Sequence, residues 1–179
     1  MKKLMLIMLL PVLYLVACSS NAPKKEEAPA TPTSSAADLK EAKEERNKQV
    51  AMASINAMAA GNVDGVLKDA ANDVSDYGDG SGTPIKGVDT AKKMISEWLA
   101  NVDKYKVDDV LTIADGDHVA VFGTWSGTFK NNFMGMKSKG KSFKIRDCDI
   151  FTFNADGKIT EHRNVQSFAT MISQLSKQK

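Results

Sequence analysis

Apolar side chains follow three patterns along this chain, and each predicts a different kind of structure. Leu4 to Val16 is one apolar run preceded by Lys2 and Lys3. From Ser19 to about Ala37 no large apolar residue occurs, so the segment cannot bury enough surface to offset the entropy of ordering and reads as a flexible linker. Beyond Asp38 the pattern becomes periodic. A charged segment, Leu39 to Gln49, runs into residues 50–59, where Ala51, Ile55, Met58 and Ala59 recur at helical spacing and Gly61 supplies a stop. Asn62 and Asp64 open a short second helix through Val66 and Leu67. Gly78, Gly80, Gly82 and Pro84 mark an irregular stretch. A third helix begins at Asp89-Thr90 and carries Ala91, Met94, Ile95, Trp98 and Leu99 on one stripe.

Past Asn101 the period shifts from helical to alternating. Val107, Val110, Leu111 and Ile113 lead to an Asp115-Gly116-Asp117 turn and then to Val119-Ala120-Val121-Phe122, a hairpin pattern. A third strand is expected from Ser142 to Phe153, and a fourth from Lys158 to about Gln166 after the turn at 155–157. Helices first, then consecutive strands, predict an α+β domain with its helices gathered on one face of a curved antiparallel sheet.

The N-terminal pattern concerns location. Basic residues followed by a short apolar run form a secretory signal, and the run is too short to span a bilayer, which needs about 20 apolar residues. Leu15-Val16-Ala17-Cys18 resembles the lipobox of bacterial lipoproteins, which implies cleavage after Ala17 and lipidation of Cys18. The chain therefore divides into a signal peptide (1–17), a linker that begins at the lipidated Cys18 (18–37) and one folded domain (38–179). Ser19 and Ser20 lack the aspartate that resembles an inner-membrane retention signal, so the expected place is the outer membrane, on its periplasmic or cell-surface face. Charge is nearly balanced, 24 basic against 22 acidic side chains, which argues against nucleic acid as a partner. With Cys18 assigned to lipid, Cys148 has no disulfide partner and reads either as a small buried apolar residue or as a reactive thiol.

Several short words in order carry a family resemblance. They are Ala59-Ala60-Gly61-Asn62-Val63-Asp64, Pro84-Ile85-Lys86-Gly87, Gly116-Asp117-His118-Val119-Ala120-Val121 and Gly127-Thr128-Phe129. They continue with Met134-Gly135-Met136, Asp149-Ile150-Phe151-Thr152-Phe153 and Asp156-Gly157-Lys158-Ile159-Thr160-Glu161-His162. This sequence resembles the SnoaL-like branch of the NTF2-like superfamily from about Gln49 to Leu175, which implies a cone with a pocket between helices and sheet. The polyketide cyclases of that branch use an aspartate as general acid/base, and the resemblance places that position on Asn164, an amide that cannot exchange a proton near neutrality. It also puts Asp149 where such cyclases have a polar residue such as histidine.

Residue by residue, alternation sets Phe143, Ile145, Asp147, Asp149, Phe151 and Phe153 on one face of their strand, with Lys144, Arg146, Cys148, Ile150 and Thr152 on the other. Asp147 and Asp149 then face either a partly apolar cavity or water at its mouth. His162 shares a side with Asn164, and is either a base near neutrality or a satisfied structural group. Trp125, alternating with Val119, Val121 and Gly123, is a ligand-stacking wall or plain core. Tyr77 lines the entrance or fills a loop. Metal-binding histidine pairs, a glycine-rich phosphate loop and a nucleophile elbow are missing from the sequence, so neither metal nor cofactor is expected.

Three functions compete. The first is a lipid-anchored module that binds a small, mostly apolar molecule through Asn164, Asp149, Asp147, Trp125, Tyr77 and His162, without acid/base catalysis. The second is an isomerase or ester cyclase-like enzyme in which Asp149, with His162, moves the proton. The third is a dimerisation or protein-interaction unit, a homodimer meeting through the outer sheet face around Cys148 and Ile150.

Overall fold

A computed structural model describes residues 35–178 apart from Met134 and Ser167. The predicted signal, Cys18 and all but the last three linker residues lie outside the described residues. Helix α1 (Ala36–Ala59) starts two residues ahead of the expected boundary because Ser35 and Asp38 form a capping box. The Ser35 hydroxyl accepts from the Asp38 amide, and the Asp38 carboxylate accepts from that of Ser35. Gly61, at φ 71°, ends this helix in a conformation that favours glycine. Of the expected stripe, Ala51 and Ile55 are buried and Met58 is half-buried, whereas Ala59 faces water.

The remaining elements are α2 (Val63–Leu67), β1 (Ala70–Asp76), β2 (Ile85–Lys86), α3 (Val88–Asn101), β3 (Val102–Asp115), β4 (His118–Phe129), β5 (Ser142–Phe153), β6 (Ile159–Asn164) and α4 (Phe168–Ser176). One six-stranded sheet has the order β2-β1-β6-β5-β4-β3. Neighbours are antiparallel except β1 and β6, which run parallel, so the α+β sheet is mixed rather than wholly antiparallel. Neither β1, β2 nor α4 is among the expected elements. In β1 the only fully buried residue is Val74, amid alanine, asparagine and aspartate, so the strand exists because β6 offers it an edge. The last strand, expected to run to about Gln166, stops at Asn164, and helix α4 follows from Phe168.

Two irregularities bend β3. Its register against β4 shifts between Asp103 and Lys106 and between Asp108 and Leu111, with Lys104 (φ 52°) and Asp109 (φ 55°) in left-handed conformations. The second shift reverses which side odd-numbered residues face. Val107 packs on the core, while Leu111 and Ile113 are 57% and 51% exposed. Together with Phe122 they lie on the outer sheet face. Cys148 is buried there, and burial raises its thiol pKa, which disfavours the reactive-thiol reading.

Two groups of side chains fill the space between helices and sheet. One centres on Ala51, Val121, Trp125 and Phe151. The other is aromatic: Trp98 of α3 packs edge-on against Phe129 and Phe133, and Met171 and Leu175 of α4 close that end. Between the two groups the domain is hollow.

Candidate functional site

The hollow is a cavity of about 730 Å³ lined mainly by apolar and aromatic side chains. Tyr77, Trp125, Asp147, Asp149, His162 and Asn164 all line it, so the structure brings the six candidate pocket residues together, while Cys148 and Ile150 are not part of the lining. Alternation explains the β5 pair. Asp147 and Asp149 point inward with Phe143, Ile145 and Phe151, and Lys144 and Arg146 point out. Asp149 is only 7% exposed.

Register places Asn164 directly opposite Asp149 across the β5–β6 pair. Asn164 Nδ2 donates to Asp149 Oδ1 at 2.6 Å. The second Asp149 oxygen lies 3.8 Å from His162 Nε2. On the other side of the imidazole, Nδ1 is 3.2 Å from Asp76 Oδ2. Asp76 comes from β1, whose parallel register sets Asp76 beside His162. A turn secures that carboxylate, since the Gly78 amide donates to Asp76 Oδ1 at 2.8 Å.

The imidazole is thus held between two carboxylates. Burial opposes its charged form, but the hydrogen bonds and charges of Asp149 and Asp76 outweigh burial and push its pKa up to about 10. At neutral pH this favours an imidazolium, hydrogen-bonded through Nδ1 to Asp76 and ion-paired through Nε2 with Asp149, over the neutral base. Asp76 responds in the opposite sense: burial raises its pKa, yet His162 and the Gly78 amide bring it below the ordinary value. Asp147 is pushed up by burial, although its Oδ1 accepts backbone amides from Cys148 and Gln166, both at 2.7 Å.

Tyr105, on the wall facing this group, has its phenol pKa raised by burial and then by the charges of Asp149 and Asp147. Tyr77 packs under the guanidinium of Arg163, 4.8 Å from its ring centre, and its amide donates to the His162 carbonyl at 2.9 Å. Tyr77 is therefore fixed to the strand that carries the histidine. Gly123 makes room for Trp125, because a Cβ there would lie 3.0 Å from Trp125 Cζ3 and 2.8 Å from Val107 Cγ1. The indole N–H of Trp98, which also lines the cavity, has no hydrogen-bond acceptor among the described residues.

Sequence reasoning missed Asp76, Trp98 and Tyr105 as site residues. Trp98 was assigned to a buried helical stripe, where nothing separates a core residue from a wall. Asp76 carried no local signal, since its role depends on a strand pairing of long range. Among the described residues no group of three or more His, Cys, Asp or Glu is arranged to hold a metal ion, and no helix is long and apolar enough to cross a membrane.

Comparison with known proteins places this geometry. No curated protein matches the chain. Among solved structures, a candidate polyketide cyclase of Xanthomonas campestris pv. campestris superposes with a TM-score of 0.68 at 19% identity, over 74% of this chain and 98% of that one. A candidate SnoaL-like polyketide cyclase of Jannaschia sp. CCS1 gives 0.68 at 18% identity, over 76% and 95%. A protein of ketosteroid isomerase-like fold from Catenulispora acidiphila, solved in complex with trimethylamine, gives 0.60 at 16% identity, over 72% and 92%. These likenesses establish the NTF2-like fold. The SnoaL-like polyketide cyclase family model matches residues 48–175, from within α1 to the end of α4, and the chain belongs to that family.

Proposed function

We propose that the domain binds a small, mostly apolar molecule in its cavity, orients the polar end of that molecule with Asn164, Asp149 and His162, and does so without the family's acid/base turnover. One observation carries the reading: Asn164, at the position the family resemblance gives to the acid/base, is an amide whose donor is already engaged by Asp149, beside a histidine whose pKa is pushed up to about 10. The trimethylamine complex of a structural neighbour supports a fold that takes small guests. A lipid on Cys18 would hold this module on the outer membrane, consistent with the N-terminal pattern. Trp98 and Trp125 both line the cavity, so their fluorescence should change on titration with a lipid, steroid or aromatic metabolite at micromolar concentration. A broad panel with no response would overturn the binding reading. Incorporation of labelled fatty acid into the wild-type chain, lost in Cys18→Ala, tests the anchor.

A second reading is favoured by the burial of Asp149. Its carboxylate lines the cavity at 7% exposure, as a proton-transfer group in an isomerase or ester cyclase-like enzyme requires. Once an activity is found, Asp149→Asn should lower kcat by about 10²- to 10⁴-fold. An unchanged rate would eliminate this mechanism.

A further inference from the structure

We propose that the guest of this cavity is an organic cation, an amine or quaternary ammonium group carried on an apolar body. This deepens the binding reading above and rests on it.

The walls are selective in charge as well as in polarity. Five acidic residues line the cavity, Asp76, Asp79, Glu97, Asp147 and Asp149, of which Glu97 is exposed at its edge and Asp79 accepts from Ser81 and the Phe168 amide; among the described residues that line it there is no lysine or arginine. Strand geometry enforces the segregation: on β5 the two aspartates face in while Lys144 and Arg146 face out. Arg163, on the neighbouring strand, is held elsewhere, over the Tyr77 ring and against Glu161. His162 supplies the one positive charge, and it is shared between Asp76 and Asp149. The charged side chains of the lining are therefore negative on balance. Burial first, and then the charges of Asp149 and Asp147, oppose ionisation of the Tyr105 phenol beside them.

Aromatic faces stand beside these charges. Gly123 is the cross-strand partner of Asp147, and the indole of Trp125 leans over Gly123, within 3.0 Å of where a Cβ would sit. Directly opposed positions of antiparallel strands lie about 5 Å apart, so Trp125 and Asp147 contribute to the same cavity wall from neighbouring strands, while Asp147 Oδ1 accepts the Cys148 and Gln166 amides. Tyr105, Phe143 and Phe151 complete the surroundings. A ring face together with a carboxylate is the arrangement that receives an alkylated ammonium, which is attracted by the ring quadrupole and neutralised by the acid. An anionic guest would meet like charges in a partly desolvated space, which disfavours it. A neutral guest would fill the volume but gain nothing from the acids.

The test compares isosteres against the purified full chain by calorimetry: phenyltrimethylammonium, its uncharged carbon analogue tert-butylbenzene, and benzoate. Phenyltrimethylammonium should bind at least tenfold more tightly than tert-butylbenzene, with benzoate weaker than both. Asp147→Asn and Asp149→Asn should each narrow the gap between the cation and its neutral analogue severalfold. If a variant fails to fold, the isostere comparison on the wild-type chain decides alone. Equal or tighter binding of tert-butylbenzene would overturn the charge preference while leaving the apolar-guest reading intact. Binding of none of the three would overturn both.

Discussion

His162 Nδ1 stands 3.2 Å from Asp76 Oδ2, joining the last strand of the sheet to the first through the sheet's parallel pair. Replacing Asp76 by Asn removes one of the two carboxylates that hold the imidazolium. The His162 pKa should then fall from about 10 by more than one unit, read from its imidazole resonances during an NMR titration. An unshifted titration would mean that Asp149 alone sets the charge.

The same pair makes folding stability depend on pH. His162 has a folded pKa of about 10 against 6.5 for the free side chain, so its contribution is complete below about pH 6.5 and is lost as pH rises through 10. Asp76, with its pKa lowered from 3.8, contributes above that value and loses its contribution as pH falls below it. Melting temperature should therefore decline from about pH 6.5 to pH 10, and the alkaline decline should be shallower in His162→Gln. Identical profiles for the two chains would refute the linkage.

Asn164→Asp restores a carboxyl group at the position where the family resemblance puts the acid/base. With Asn164 Nδ2 only 2.6 Å from Asp149 Oδ1, the variant sets two carboxylates in contact, and like charges so close cannot both ionise freely. The pair should show one apparent pKa raised by about a unit or more, seen by carbon NMR of the side-chain carboxyls. Two ordinary titrations would show that the side chains separate in solution.

Gly127→Ala should destabilise the domain by about 1–3 kcal/mol, the usual cost of overpacking. Its Cβ would meet Val102 Cγ1 at 2.7 Å and Phe143 Cε1 at 3.0 Å, inside the aromatic group. Chemical denaturation measures the loss, and an unchanged midpoint would mean that this end of the core is loose.

Met171→Ala should cost about 2–5 kcal/mol, since the side chain is nearly fully buried and its removal leaves a void between α4 and the aromatic group. Thermal unfolding would show it, and a neutral result would detach α4 from the core.

How much of this was legible in advance follows from the range of each interaction. Alternation along β5 announced that Asp147 and Asp149 share a side with Phe143 and Phe151, because strand period is a local property. The stripe of α3 is local too, and spacing alone places Trp98 on it; the capping box of Ser35 and Asp38 is equally local but is not read from the spacing, so the expected start of α1 falls two residues late. By contrast, Val107 and Leu111 have the same parity yet face opposite ways, since the irregularity at Asp109 lies between them and a count of positions does not reveal it. Helix α4 has a readable spacing in Phe168, Met171 and Leu175, but the strand before it was extended over its approach.

The amino-acid order by itself determined the class of fold, the inner face of β5 and the amide at residue 164. Those are matters of period, composition and residue type, which neighbours in the chain decide among themselves. Tertiary structure alone decided that β1 exists, that Asp76 reaches His162, and that the histidine is charged. Residues 76 and 162 are brought together by a parallel pairing with most of the domain between them in sequence. The charge of an imidazole depends on what stands within a few ångströms of it, which only the folded chain arranges.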